Sequence, residues 1–464
     1  MLKYLLIVGC LFTLLPLNRV FEELNVIEAT SLIVFHIVLM GLVANDIASW
    51  MKEKADFFNP KVLSAIFYWI KFILFNLFCI SNDTILKVWY LPQLGSYGFF
   101  TIIGTYLVVG LGWLAFRVGL THGTVGVSKS GGNFPSHAPL HNGLGVVPLL
   151  LIIFFIVIGI WGNIGYAGGW EIYLKQMEQP FTRTEEIISA REWGSTIYIV
   201  AKSFLPVGLT IFAYSLLMHF GFSVRRFIIF FLLAAAGNYF LNCATGGRTA
   251  VLQVVFFAVV IANKIRRLST ASLVISGSAI VFAIVLMGHI DAVTRYGGEL
   301  SLVGIADGFE FFIGKYISAF PGVLRLYTDV ELSGSYVNTI WPSLIHIWGG
   351  ATPLIIEQYM RLYHGYPSNV IIGPAPELYL NYGWLAVVIG MLIIGKLTSI
   401  ISVIYERHRD KTSLYSLIVI LLCFQVAPMN TFNLSSLFKM FLLLNLCFYI
   451  ALFVLWCQAK IYQR

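Results

Sequence analysis

Charge is what this chain has least of. Of its 464 residues only 11% are Asp, Glu, Lys or Arg, whereas 58% are hydrophobic. A water-soluble protein of this length needs far more charge to cover its surface, so a soluble globular class is set aside at once. Cysteine is scarce as well. The six cysteines (Cys10, Cys79, Cys243, Cys423, Cys447 and Cys457) fall in or near apolar runs and none forms a CxxC pair, which leaves no zinc or redox centre to read. Cys79 and Cys243 both come near one predicted face, but the sequence does not pair them. There is no Walker A loop, no GxSxG and no HExxH, so nothing in the chain is built to use ATP or to run the common soluble hydrolase chemistries. No internal repeat and no low-complexity tract interrupts it. The net charge of +8 is not a nucleic-acid signal, because the Lys and Arg are spread over short loops with no basic domain or arm.

Long apolar runs take the place of all this. They recur from end to end, at about 20 residues each, the length that crosses a hydrocarbon core as a helix. They are continuous and rich in Leu, Ile, Phe and Val, without the weak alternation of a membrane barrel, and spanning segments must satisfy their own backbone hydrogen bonds. The pattern predicts an all-α polytopic membrane protein with about 12 transmembrane helices, forming a single integral membrane domain over residues 1–464. The expected spans are Leu2–Leu17, Ala29–Ala48, Val62–Ile80, Tyr97–Phe116, Gly143–Trp161, Thr196–His219, Phe227–Cys243, Ala250–Ala262, Ala271–His289, Gly383–Val403, Ser413–Val426 and Leu434–Trp456. The first run carries Lys3 and an apolar centre, as a signal peptide would. Pro16-Leu17-Asn18-Arg19 follows in place of a small-residue cleavage site, and the run reads as an uncleaved span.

Loop charge sets the direction. With both termini in the cytoplasm, the inner loops hold Lys52, Lys54 and Lys61, then Arg117 and Lys129, then Arg225 and Arg226. Lys264, Arg266 and Arg267 follow, then Arg407, Arg409 and Lys411, with Lys460 and Arg464 in the tail. The short outer loops hold little beyond Arg19, Lys87 and Arg248, so the positive-inside rule is obeyed throughout. The expected location is a bacterial inner (cytoplasmic) membrane. Two longer segments fall outside. Residues 162–195 mix five glutamates with Lys175, Arg183 and Arg191 and read as a solvated, helical cap. Residues 291–381 form a large, partly helical external loop, and loops of that length are usually functional when ordered. Its part from Thr339 to Met360 is apolar enough to dip into the membrane.

Four places carry residues suited to chemistry. Arg248 stands in Thr245-Gly246-Gly247-Arg248-Thr249, where two glycines allow a tight turn and a helix begins directly after. Free N–H groups and the positive dipole end make an anion site there, and a guanidinium adds a fork matched to phosphate oxygens. The plainer reading is an arginine reaching for the outer interface. Arg295, in Thr294-Arg295-Tyr296-Gly297-Gly298, is a second clamp or, with Tyr296, an interfacial anchor. Lys202, Lys439 and especially Lys71 lie within apolar runs, where an ionisable side chain is a functional candidate by default. The segment Arg361-Leu362-Tyr363-His364-Gly365-Tyr366-Pro367-Ser368-Asn369, followed by Gly373-Pro374-Ala375-Pro376-Glu377, leads into the span at Gly383. It joins a fixed charge, an imidazole, an amide and a carboxylate. Glu377 and His364 are the candidate general bases. The plainer reading is a polar loop whose prolines shape the entry to a helix. His122, His137 and His141 lack the spacing and the partner ligands of a metal site, so the segment Thr121–Asn142 reads as a connector.

This layout resembles the O-antigen polymerase (Wzy-type) family of oligosaccharide repeat-unit polymerases. The likeness rests on the number of spans, the cap after Gly162, the Gly-Gly-Arg248-Thr turn, the Arg295-Tyr296-Gly297 step and the long late outer loop. Pro367-Ser368-Asn369 followed by Glu377 and a Gly383-led span adds to it. Related ligases show a His-Asn step near this last motif, where this chain has Ser368-Asn369 with His364 four residues earlier. The resemblance implies a GT-C-like glycosyltransferase acting on undecaprenyl-pyrophosphate-linked glycan as donor and a lipid-linked repeat unit as acceptor. It needs no metal or other cofactor, because the donor is already activated. Under it Arg248 and Arg295 clamp the leaving pyrophosphate. Arg325 and Arg361 add to the field or hold acidic sugars, with Tyr296 and Asn369 at the glycan, and Glu377 or His364 takes the acceptor proton. Membrane lipids and a polysaccharide chain-length regulator are the further partners it brings in, and nucleic acid is not among them.

Two other classes fit the composition. A lipid-linked oligosaccharide flippase or other transporter would show inverted repeats, broken helices and sites near the midplane, and Lys71 favours it. An O-antigen ligase uses the same donor on another acceptor. A non-catalytic scaffold would leave the cationic turn incidental.

Overall fold

The computed structural model describes residues 26–52, 56–69, 71–72, 98–122, 145–178, 196–242, 248–269, 373–411, 413–431 and 440–462, with a few isolated positions besides. Among them every regular element is helical. In chain order these are α1 (Val26–Lys52), α2 (Pro60–Trp69), α3 (Gly98–His122), α4 (Val146–Ala167), α5 (Trp170–Glu178), α6 (Thr196–Lys202), α7 (Phe204–Phe220), α8 (Val224–Leu241), α9 (Arg248–Ile265), α10 (Pro374–Arg409), α11 (Leu414–Val426) and α12 (Leu446–Tyr462). A 3-10 turn, Ala427–Thr431, continues α11, and a π turn, Met440–Leu444, precedes α12. By length and composition six of the described helices can cross a bilayer: Ile33–Met51, Val146–Ala167, Ile197–Phe220, Val224–Leu241, Pro374–Arg409 and Leu414–Thr431. Three shorter apolar helices join them, Tyr106–Thr121, Val251–Ile265 and Leu446–Ile461. The expected span Leu2–Leu17 lies outside the described residues, and so does Ala271–His289 apart from isolated positions.

The chain divides into two compact units. The first takes Met1–Gly131, Phe309–Glu406 and Cys423–Lys439, and the second takes the rest. In the first unit α1 packs on α2 and α3. Asp46 of α1 is buried, and two groups of α3 meet its carboxylate. The Trp113 indole donates to it at 3.0 Å and the Arg117 guanidinium lies 3.0 Å away. Trp113 stacks on into Tyr68 and Phe116, at 5.0 and 5.4 Å between ring centroids, and the Tyr68 hydroxyl donates to the Val109 carbonyl at 2.6 Å.

The most consequential turn of chain in this unit lies inside α10. At Gly383 the backbone leaves helical geometry, with φ 74° and ψ −165°, a region open essentially to glycine alone. A straight helix would hold Leu378 and Gly390 about 18 Å apart. Instead the Leu378 side chain lies directly over Gly390, and Tyr379 meets Trp384 with ring centroids 4.6 Å apart. Ala375 and Met391 both lie against Gly112 of α3. The chain therefore doubles back at Gly383. A short half-helix, 374–382, is folded against the long arm, 384–409, which rises about 39 Å. The half-helix is buried from Pro374 to Asn381, while Tyr382 at its end and Trp384 and Leu385 beyond it are exposed. The long arm lies close along α3. Gly119 and Gly395 leave no room for a Cβ between the two backbones, the approach that small residues permit in membrane bundles.

The expected boundary of the large external loop therefore moves. Its last eight residues, 374–381, are buried helix, while its part from Thr339 to Met360 lies outside the described residues. The span that the sequence opens at Gly383 does begin there, as the long arm.

The second unit is built on α4. Gly159, Gly162 and Gly165 line one face of it at a spacing of three. The backbone of Leu205, that of Ala201 and Lys202, and the ring of Tyr198 fill the places of their missing side chains. The end of α4 is fixed by Gly168 at φ 92°, whose N–H bonds the Gly165 carbonyl while that of Gly169 bonds Ile164, a left-handed helix stop. α5 follows. The Tyr173 hydroxyl donates to the Leu241 carbonyl at 2.9 Å, tying α5 to the end of α8. The segment read as a solvated cap from residue 162 thus starts as buried helix, with Asn163 fully enclosed, because the glycine face needs α6 against it. Residues 179–195 of the cap lie outside the described part.

Replacing Gly383 by Ala forces a side chain into a backbone region that excludes it. The expected cost is about 1–3 kcal/mol, read as a lower melting temperature of the detergent-purified chain. An unchanged melt would show that the reversal does not depend on this φ.

Candidate functional site

The half-helix 374–382 starts in a way suited to an apolar interior. The first three N–H positions of any helix have no acceptor within it, and an unmet buried donor costs about 1–3 kcal/mol. Here two of those three positions are Pro374 and Pro376, which have no N–H to bury. Only the Ala375 amide is left, because the Glu377 amide already bonds the Gly373 carbonyl at 3.3 Å. Gly373, at φ 88°, enters the helix with Phe72 packed against the position of its absent Cβ, 2.7 Å from the ring. The prolines that read as loop shapers are thus the first turn of a buried helix.

Glu377 is the ionisable group this turn carries. It is 1% exposed. Its carboxylate accepts from the main-chain N–H of Leu434, and a carboxylate in a first helical turn is also favoured by the helix dipole. Asn381, one turn on and equally buried, donates to the Glu377 carbonyl at 2.7 Å. Together these hold both the side chain and the backbone of Glu377.

The turn Ala427–Thr431, which comes before Leu434 in the chain, departs from α-helix for a physical reason. α11 cannot continue as an α-helix through Pro428, which lacks an N–H, and the chain tightens into the 3-10 turn Ala427–Thr431. Two of its carbonyls find donors, from α2 and from Lys71. The Ser64 hydroxyl donates to the Ala427 carbonyl, and the Asn430 side-chain amide donates back to the Ser64 carbonyl at 3.1 Å. The Lys71 ammonium donates to the Thr431 carbonyl and lies 5.3 Å from the Phe72 ring centroid. The same stretch is therefore braced twice, by Lys71 at Thr431 and by Glu377 at Leu434. Two ionisable side chains and two broken helices meet here within one unit.

Of the residues that the resemblance places at a site, Glu377 is the one whose side chain the structure describes, and it lies inside the helix bundle instead of on a loop. Arg248 is the first residue of α9, the position the glycine turn led us to expect, in the second unit. His364, Arg295, Tyr296, Arg325, Arg361 and Asn369 lie outside the described residues. Sequence reading had marked Lys71. It missed Asn381, Ser64 and Asn430, although a polar residue four after Glu377 was the available sign of a helix through both. Among the described residues no three His, Cys, Asp or Glu side chains converge as metal ligands would.

Pro376→Ala separates a buried helix start from a loop. It places an extra N–H in the apolar first turn, and we expect a loss of about 1–3 kcal/mol, seen as a lower midpoint in thermal unfolding in detergent. A near-neutral effect would favour the loop reading. Comparison with protein-family models, with curated proteins and with solved structures gave no match to this chain.

Proposed function

We propose that the chain is a membrane glycosyltransferase that polymerises undecaprenyl-pyrophosphate-linked oligosaccharide repeat units into a surface polysaccharide. In this reading it has about twelve spans in a GT-C-like arrangement, sits in a bacterial inner membrane and keeps both termini in the cytoplasm. The acceptor hydroxyl oxygen bonds to the anomeric carbon of the donor. The bond from that carbon to the pyrophosphate oxygen breaks with its electrons going to the lipid pyrophosphate, and the hydroxyl proton passes to a base.

The observation that carries the reading is Glu377. It is a carboxylate enclosed in a bundle of apolar helices, where an ionisable group is costly and functional by default. Its carboxylate is held by the Leu434 amide and its main-chain carbonyl by Asn381. A base held in place needs no reorganisation when the proton moves. Arg248 at the head of α9 supports the other half of the chemistry. A helix N-terminus favours anions, and a leaving pyrophosphate gathers negative charge.

Lys71 and the breaks at Gly383 and Pro428 favour a second reading, a flippase for the same lipid-linked units. Broken helices around a charged site are the transporter pattern.

Deleting the gene in its host separates these. Under the first reading long polymer is lost and a single capped repeat remains. Single lipid-linked units stranded on the cytoplasmic leaflet would indicate the flippase, and full-length lipid-linked polymer without surface glycan would indicate a ligase. Glu377→Gln is the residue test, since an amide oxygen still accepts from Leu434 but takes up no proton. Polymer yield should fall by about 100-fold or more with the protein still in the membrane, and Arg248→Ala should do likewise. Normal polymer from either variant takes that residue out of the chemistry.

A further inference from the structure

The second unit gathers cationic side chains from three separate turns of chain at one end. α8 and α9 are consecutive and pack side by side, so the start of α8 and the finish of α9 lie together. The start of α8 carries Arg225 and Arg226, and the finish of α9 carries Lys264, Arg266 and Arg267. The third turn is 407–411. The Lys264 ammonium donates to the carbonyls of His408, Arg409 and Lys411, at 3.3, 3.0 and 2.5 Å. That tie brings Arg407, Arg409 and Lys411 to the same end.

Four of these eight cations make ties within the fold. Lys264 closes the end of α10, and the Arg226 guanidinium bonds the Phe220 and Gly221 carbonyls at the end of α7. Arg267 and Arg409 share the one carboxylate described in these three turns, Asp410, at 3.6 and 3.3 Å. The hydrogen bond from Arg409 and then the charges of Arg409 and Arg267, outweighing a contrary effect of burial, hold the Asp410 carboxyl below the usual range. It therefore stays ionised and cancels one charge. Arg225 and Arg266 are exposed. Within two turns of Arg225, α8 exposes Ile228, Ile229, Leu232 and Leu233. An apolar face of that kind on a spanning helix meets acyl chains, which sets the arginines at headgroup depth.

We propose that this end of the second unit binds the phosphate headgroups of anionic phospholipids. The guanidinium groups of Arg225 and Arg266 contact the phosphate, and the exposed stripe of α8 receives an acyl chain. Charge complementarity selects the occupant. The end carries a clear excess of cations, phosphate oxygens match the guanidinium fork, and a zwitterionic lipid offers no net charge to balance it. The inference is independent of the proposed enzymatic activity.

The test uses the full chain reconstituted in nanodiscs of phosphatidylcholine with 30 mol% phosphatidylglycerol, about a third of the lipid, and native mass spectrometry of the lipids retained on release. Wild-type protein should keep phosphatidylglycerol well above its share, and the enrichment should fall with salt. The double variant Arg225→Gln with Arg266→Gln should lower the ratio of retained phosphatidylglycerol to retained phosphatidylcholine by about tenfold. Asp410→Asn should raise it. A melting temperature in pure phosphatidylcholine equal to that of wild type shows that the double variant is folded. If it does not fold, the salt dependence of the wild type and the Asp410→Asn gain decide the matter. Retention in proportion to the bulk lipid, an unchanged double variant, or retention of an acidic protein in place of lipid would each overturn the proposal.

Discussion

A carboxylate taken into a helix bundle has to be met there by a donor. In this chain the donor to Glu377 is a main-chain amide, that of Leu434. Pro428 stops α11, and the chain passes through the 3-10 turn Ala427–Thr431 before it reaches Leu434. The two breaks are thus complementary. One half-helix brings an acceptor inward, and Leu434, past the interrupted helix in the chain, supplies the donor. In an apolar medium neither break stands easily alone, since each leaves main-chain groups that water cannot reach. The Ser64 hydroxyl and the Lys71 ammonium meet two of them, the Ala427 and Thr431 carbonyls.

Glycine makes the arrangement sterically possible in both units, through different devices. At Gly383 it is the backbone conformation that only glycine takes without strain. At Gly119 and Gly395, and along Gly159, Gly162 and Gly165, the conformation is ordinary helix and the absent side chain is what matters. Helices meet there at distances a methyl group would prevent. Such contact compensates for a weak hydrophobic drive between helices in lipid, where association rests on packing and on polar ties. The first unit adds Asp46 with Trp113 and Arg117 as one such tie, and the second adds Tyr173 with Leu241.

How much of this could be read from the sequence follows from which signals are local. Helical class and many spans follow from apolar runs, which need no knowledge of partners. The start of α9 at Arg248 is local too, since the glycine pair marks it. The long arm of α10 opens at Gly383, where hydropathy begins. The half-helix before it was read as loop because Gly-Pro-Ala-Pro-Glu is the composition of a loop. Only the neighbours Phe72, Gly112 and Gly390, distant in sequence, show that it is enclosed. The buried face of α4 was read as part of a solvated cap for the same reason. Glutamates further along dominate the composition of 162–195, while the glycine spacing at its head answers to residues 198–205.

The position of Glu377 along α10 bears on what its site can reach. Ala375 and Met391 share Gly112 as a neighbour, so the half-helix and the first two turns of the long arm run side by side. Glu377 then lies roughly 9 Å along the half-helix from the reversal at Gly383. If the exposed Tyr382 and Trp384 mark a membrane interface, as paired aromatics do, Glu377 stands well inside the apolar layer but short of its middle. A group at that depth meets a substrate that is itself held by a lipid anchor more readily than one diffusing in water. Under the proposed function, a buried carboxylate, which a soluble enzyme would place at the base of a cleft, would fit at the head of a folded-back helix.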